Sequence, residues 1–166
     1  MTRFALALLL VSSAAAGEDA RPPELKRQWL HRLVGSWAVE GRDAGGQAVT
    51  GSVSARTLRG RWLVAESELD APGGPATVLQ TVGYNAETGR YVGTQIDAAD
   101  DRVVVYDGEL SADGRTLSLL SEVPGAARRR DAYTVESPDR VTLLSEAESA
   151  DGRWTTLATA TLTRAE

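Results

Sequence analysis

The sequence has no cysteine, one histidine, one lysine, one methionine and one phenylalanine. Without cysteine there are no disulfides, no thiolate zinc centres and no cysteine nucleophile. A single imidazole, His31, excludes the multi-histidine metal sites and leaves a serine-type triad with one candidate base. Basic residues number 18 against 23 acidic ones, for a formal charge of −5. A nucleic-acid binder needs the opposite, an excess of clustered Lys and Arg to neutralise phosphates, so that class is excluded. No apolar run approaches the ~20 residues that a membrane-spanning helix requires, so no stable membrane insertion is expected. No metal ligand set and no cofactor are read from these residues.

What is present begins with Arg3, the apolar run Phe4–Val11 and a small-residue stretch ending in Ala14-Ala15-Ala16. A charged start, a short apolar core and an Ala-rich cleavage site form the pattern of a secretory signal peptide, residues 1–16. The expected mature protein is exported, periplasmic or secreted, with no cysteine to take a lipid anchor. A polar leader, residues 17–23, precedes a single domain over 24–166. Pro22-Pro23-Glu24 suits a helix start. Leu25, Trp29, Leu30, Leu33 and Val34 then fall on one helical face, with Lys26, Arg27, Gln28 and Arg32 on the other and Gly35 as the stop.

From Ser36 onward the hydrophobic period changes from helical to alternating, with turn signals about every ten residues. The pattern predicts ten strands: 37–42, 49–58, 61–69, 77–85, 90–97, 102–110, 116–123, 132–136, 141–148 and 154–164. Their short connections permit only antiparallel neighbours. One echo stands out: Ser-Ala-Asp-Gly-Arg at 111–115 returns at 149–153. Two copies are reused turn chemistry and not a repeat architecture, and neither carries the ligand series of a calcium loop. Ten long strands with one terminal helix predict an all-β fold, an up-and-down antiparallel β-barrel, because closure abolishes exposed edges. A barrel of this size has room for packed side chains or one small ligand.

Gly35-Ser36-Trp37 opening the first strand, with Arg164 near the end of the last, resembles the signature of the calycin superfamily, which includes the lipocalins. More closely, Trp29–Trp37, Arg61-Trp62-Leu63-Val64, Val82-Gly83-Tyr84-Asn85 and Thr88–Gly93 are similar to the bacterial domain of unknown function 1579. The resemblance implies a lipocalin-like barrel in which Gly35, Trp37 and Arg164 close one end, Arg164 packing over the Trp37 ring. It implies no activity and no catalytic residue. Haem-binding relatives of such barrels use a barrel histidine, whereas His31 falls in the helix beside Arg32, so haem is not expected.

Inward candidates follow from strand phase. In 61–69 one face carries Trp62, Val64, Glu66 and Glu68, and the other carries Leu63, Ala65, Ser67 and Leu69, which reads as a core wall. Gln80, Val82 and Tyr84, then Tyr91, Gly93, Gln95 and Asp97, form further mixed faces. Trp62, Glu66, Glu68, Tyr84, Tyr91, Gln95 and Asp97 are therefore the candidate ligand-binding residues, the alternative being that these mixed faces are the solvent side of half-buried strands. Glu66 and Glu68 stand ~7 Å apart, within range of an acid/base pair, but two carboxylates on one sheet face lack the unequal environments such a pair needs. Arg128-Arg129-Arg130 is assigned to a loop, either solvated or holding an anionic group. Three functions remain open: a small-molecule binding barrel, for a small apolar or amphipathic ligand; a ligand-free barrel acting through its surface or as a homodimer; and a hydrolase using barrel carboxylates. Only eight aromatics follow the signal peptide, among many Ala, Gly, Val and Thr, which favours a hollow interior.

Overall fold

The computed structural model describes residues 21–100, 103–122 and 126–165; the expected signal peptide and most of the polar leader lie outside the described residues. Pro23 sets the first turn of helix α1 (Pro23–Leu30), which tightens into a 3-10 turn over His31–Leu33. Ten strands follow: β1 (Gly35–Asp43), β2 (Ala48–Leu58), β3 (Trp62–Ala71), β4 (Gly74–Asn85), β5 (Arg90–Asp97), β6 (Val103–Leu110), β7 (Thr116–Ser121), β8 (Arg129–Ser137), β9 (Arg140–Glu148) and β10 (Trp154–Arg164). Each pairs antiparallel with its chain neighbour, and β1 pairs with β10 to close the barrel. Closure satisfies the backbone of every strand and leaves no open sheet edge.

Two strands start three residues ahead of the sequence expectation. β4 starts inside the Pro-Gly-Gly-Pro segment, because Asp70 pairs with Pro75 and Ala71 with Gly74, leaving Pro72-Gly73 as a two-residue loop. β8 starts at Arg129, where the sequence places a loop, so Arg129 and Arg130 belong to the sheet. Their side chains take opposite sides. Arg130 stays outside, 2.6 Å from Glu146 and with its Cζ 4.5 Å from the centroid of the Trp154 ring, while Arg129 turns inward. The repeated turn segments fold alike: Gly114 N donates to Ser111 O and Gly152 N to Ser149 O, both at 2.8 Å, and the Asp of each turn accepts from the Ser hydroxyl. These bonds hold the Asp113 and Asp151 carboxyls below their usual range.

Helix α1 lies across one end of the barrel, where Trp29 and Leu30 are buried. The amphipathic reading needs a correction here. Leu25 is half exposed and Lys26 is buried, because the helix presents the Lys26 side to Tyr84 and Tyr91: Lys26 Nζ sits 5.5 Å from the Tyr84 ring centroid, and Tyr91 Oη donates to Lys26 O at 2.7 Å. Trp29 Nε1 anchors the helix to the β6–β7 turn by donating to Gly114 O at 2.9 Å. At the same end Trp37 Nε1 donates to Leu33 O at 2.9 Å, and the Arg164 guanidinium lies 4.2 Å from the centroid of the Trp37 ring while Nη1 donates to Val34 O at 2.9 Å. Gly35, at φ +131°, is required there: a Cβ would run into the Arg164 guanidinium. The interior beside β5–β9 is solid, filled by Tyr91, Tyr106, Leu110, Leu117, Leu119, Val135 and Val141.

Candidate functional site

Alternation along the strands decides what faces inward. On β3 the small and apolar set Leu63, Ala65, Ser67 and Leu69 points into the barrel, opposite inward residues of β2 and β4 such as Val53, Ala55, Gln80 and Val82. Because several of these are small, this half of the interior is not filled. A cavity of about 200 Å³ remains, with apolar walls that include Trp37, Val39, Leu63, Leu69, Leu143 and Leu162, and one polar wall of Ser67, Gln80, Arg129, Tyr133 and Ser145. A larger depression, about 520 Å³, lies on the outer face over β1, β8, β9 and β10 and is open to solvent. The interior cavity combines enclosure with convergent polar groups, the usual character of a small-molecule site.

The polar wall carries two hydrogen-bonded groups, one built around Asp131 and one pairing Tyr133 with Gln80. Asp131 is 1% exposed, and its Oδ1 accepts from Arg129 Nε at 3.1 Å while its Oδ2 lies 3.0 Å from the donating Tyr106 Oη. Arg129 Nε also reaches Ser145 Oγ at 3.2 Å. Tyr106 Oη further lies 2.8 Å from Gln95 Oε1, and Tyr133 Oη donates to Gln80 Oε1 at 3.1 Å. Burial, reinforced by the Asp131 charge, pushes both the Tyr106 and the Tyr133 hydroxyl well above the usual tyrosine range, so both remain protonated donors. Burial opposes the Arg129 charge as well, but the charge and hydrogen bond of Asp131 outweigh it and the guanidinium pKa is raised. A buried carboxylate is costly alone, and Arg129 is what makes Asp131 tolerable. Among the described residues one fully buried side-chain atom is left over: Gln80 Nε2 has no hydrogen-bond partner. Such an orphan costs about 1–3 kcal/mol.

None of the seven candidate residues taken from strand phase lines this cavity. Trp62, Glu66 and Glu68 stand on the outer face of β3, all exposed, because the apolar alternate set takes the interior. Trp62 covers Gly83 from outside; a Cβ on that glycine would fall 2.7 Å from the indole. The Glu66/Glu68 pair is therefore in water. Tyr84 and Tyr91 face inward but meet edge-to-face at 5.1 Å beneath the helix, away from the cavity. Gln95 sits one bond behind the polar wall through Tyr106, and Asp97 lies at the far rim with its Oδ1 accepting from Ala99 N. His31 is exposed on the 3-10 turn, with Nε2 3.2 Å from Gly60 O.

The residues that shape the polar wall and were not singled out from sequence are Asp131, Tyr133 and Ser145, whereas Arg129 was noted only within the run 128–130 and placed in a loop. Their signal was present. Arg129, Asp131, Tyr133 and Val135 recur with period two, the mark of one strand face, but a strand starting at 132 leaves the first two outside it.

Among solved structures, the chain is similar to Rv2717c from M. tuberculosis, with a TM-score of 0.64 and 16% identity, covering 87% of this chain and 99% of that one. It is also similar to EF1p2_mFAP2b bound to DFHBI, with a TM-score of 0.50 and 14% identity over 84% of this chain and 98% of that one. At these identities the likeness is one of fold. No curated protein matches the sequence. The family model described as "Protein of unknown function (DUF1579)" matches residues 22–164, essentially the whole barrel with its helix, and the chain belongs to that family.

Proposed function

We propose that the protein is an exported binding protein that holds one small apolar or amphipathic molecule inside its barrel. The observation that carries this reading is the interior cavity of about 200 Å³ between the Trp37 end and the Arg129 wall. A dry apolar cavity of about 150 Å³ already takes up benzene, whereas drug-sized ligands want about 300 Å³ or more. The occupant is accordingly a compact molecule, larger than benzene and smaller than most drugs. The similarly folded EF1p2_mFAP2b is bound to DFHBI, in keeping with a fold that hosts a small-molecule site. Export rests on the signal-peptide pattern of residues 1–16.

Native mass spectrometry of the protein purified gently from its own exported fraction tests the proposal. One adduct per chain, released on denaturation and identifiable by fragmentation, supports it. Recovery of the protein only in the cytosol, with residues 1–16 retained, would remove the export half.

A second reading has its own observation. On the outer face of β4–β6, Leu79, Ile96, Val103 and Val105 are exposed, and Leu79 pairs with Ile96 and Ile96 with Val103 across the strands. A strip of this kind suits contact with another protein or a second copy of the chain. Light scattering of the wild type beside Val105→Glu decides: a dimer that the charge dissolves supports this reading, and a monomer in both cases counts against a homodimer.

A further inference from the structure

Donors outnumber acceptors on the polar wall of the cavity. The hydrogen bonds of Arg129 run from Nε alone, to Asp131 and Ser145; among the described residues its two terminal nitrogens have no acceptor, although the side chain is 39% exposed beside the cavity. Gln80 is in the same state, its Oε1 occupied by Tyr133 and its Nε2 buried and unpaired. An acceptor oxygen on a molecule in the cavity would serve both groups. A guanidinium edge with two free nitrogens fits such an oxygen closely.

The charge of that oxygen follows from what already surrounds Arg129. Asp131 sits 3.1 Å from Nε, buried, and balances the guanidinium. A ligand carboxylate would place a second anion on the same cation, inside a low-dielectric cavity where like charges repel strongly. Neutral acceptors meet no such penalty.

We infer that the cavity selects an uncharged molecule with a compact apolar body and one carbonyl-type oxygen, held by Arg129 and Gln80. This rests on the binding-barrel reading and specifies its ligand. Three ring compounds of similar size separate the possibilities: ethylbenzene has no acceptor, acetophenone has a neutral carbonyl, and benzoate carries a charge. Calorimetric titration of the intact protein at neutral pH is expected to give acetophenone about tenfold tighter than ethylbenzene, equivalent to about 1.4 kcal/mol, with benzoate weakest. Arg129→Met should reduce acetophenone to the level of ethylbenzene. Because that change also strands Asp131, Gln80→Leu is measured beside it and should narrow the preference severalfold without weakening ethylbenzene. Equal binding of ethylbenzene and acetophenone, or benzoate binding tightest, overturns this inference and leaves the cavity standing. Failure of all three to bind the wild type overturns the inference together with the binding-barrel reading.

Discussion

Arg129 and Asp131 stand two residues apart on one strand face, and their bond inside the barrel makes two testable demands on single residues. Removing Asp131 leaves the guanidinium without its counter-charge beside the cavity. Asp131→Ala should therefore destabilise the fold by about 3 kcal/mol in urea unfolding, whereas Arg129→Met combined with Asp131→Leu should recover most of that loss. The tyrosines make a second demand. Tyr106 and Tyr133 keep their protons in the fold because burial raises their pKa values above the ordinary value of about 10. A folded pKa above the unfolded one means that this stabilisation is whole below about pH 10 and declines as pH rises past it, because only the unfolded chain then loses the protons. In an alkaline titration followed by tyrosinate absorbance, Tyr106 and Tyr133 should ionise only in a cooperative step that coincides with loss of the β-sheet signal. Gradual ionisation of all four with the sheet intact would refute this.

At the scale of elements, α1 is eight residues long, too short to persist by itself, so its order depends on docking. Trp29 supplies both the buried surface and the bond to Gly114. Trp29→Ala should cost about 3–5 kcal/mol and raise amide exchange in α1 well before the barrel strands exchange. Uniform loss of protection across helix and barrel would show that the plug and the barrel are one cooperative unit. Elements were also where the sequence was most legible. Alternation over residues 158–163 and the Asp-Gly turns mark strand and connection, and the Trp37/Arg164 pair locates the closed end. The site was harder to read, for a physical reason. Whether Glu66 or Ser67 faces the interior depends on a one-residue phase, and both faces of β3 carry apolar residues. The run Arg128-Arg129-Arg130 looks like solvated charge until Asp131, 1% exposed, shows that its middle member has a buried partner.

For the whole molecule, closure divides the interior into a solid half, packed by Tyr91, Tyr106, Leu117 and Leu119, and a hollow half bounded by β1–β4 and β8–β10. The solid half accounts for stability, and the proposed binding belongs to the hollow half. Filling the hollow should therefore strengthen the fold while abolishing uptake. Ala65→Leu adds apolar volume facing the cavity, and it is expected to hold or raise the urea midpoint while weakening ethylbenzene at least tenfold; unchanged uptake would place the molecule elsewhere. The most direct test is to follow methyl resonances while ethylbenzene is added. The account predicts shifts at Val39, Val53, Leu63, Leu69, Leu143 and Leu162, which line the cavity, with none at Leu79, Ile96, Val103 and Val105 outside. Shifts confined to that outer strip, with the interior methyls unmoved, would contradict it.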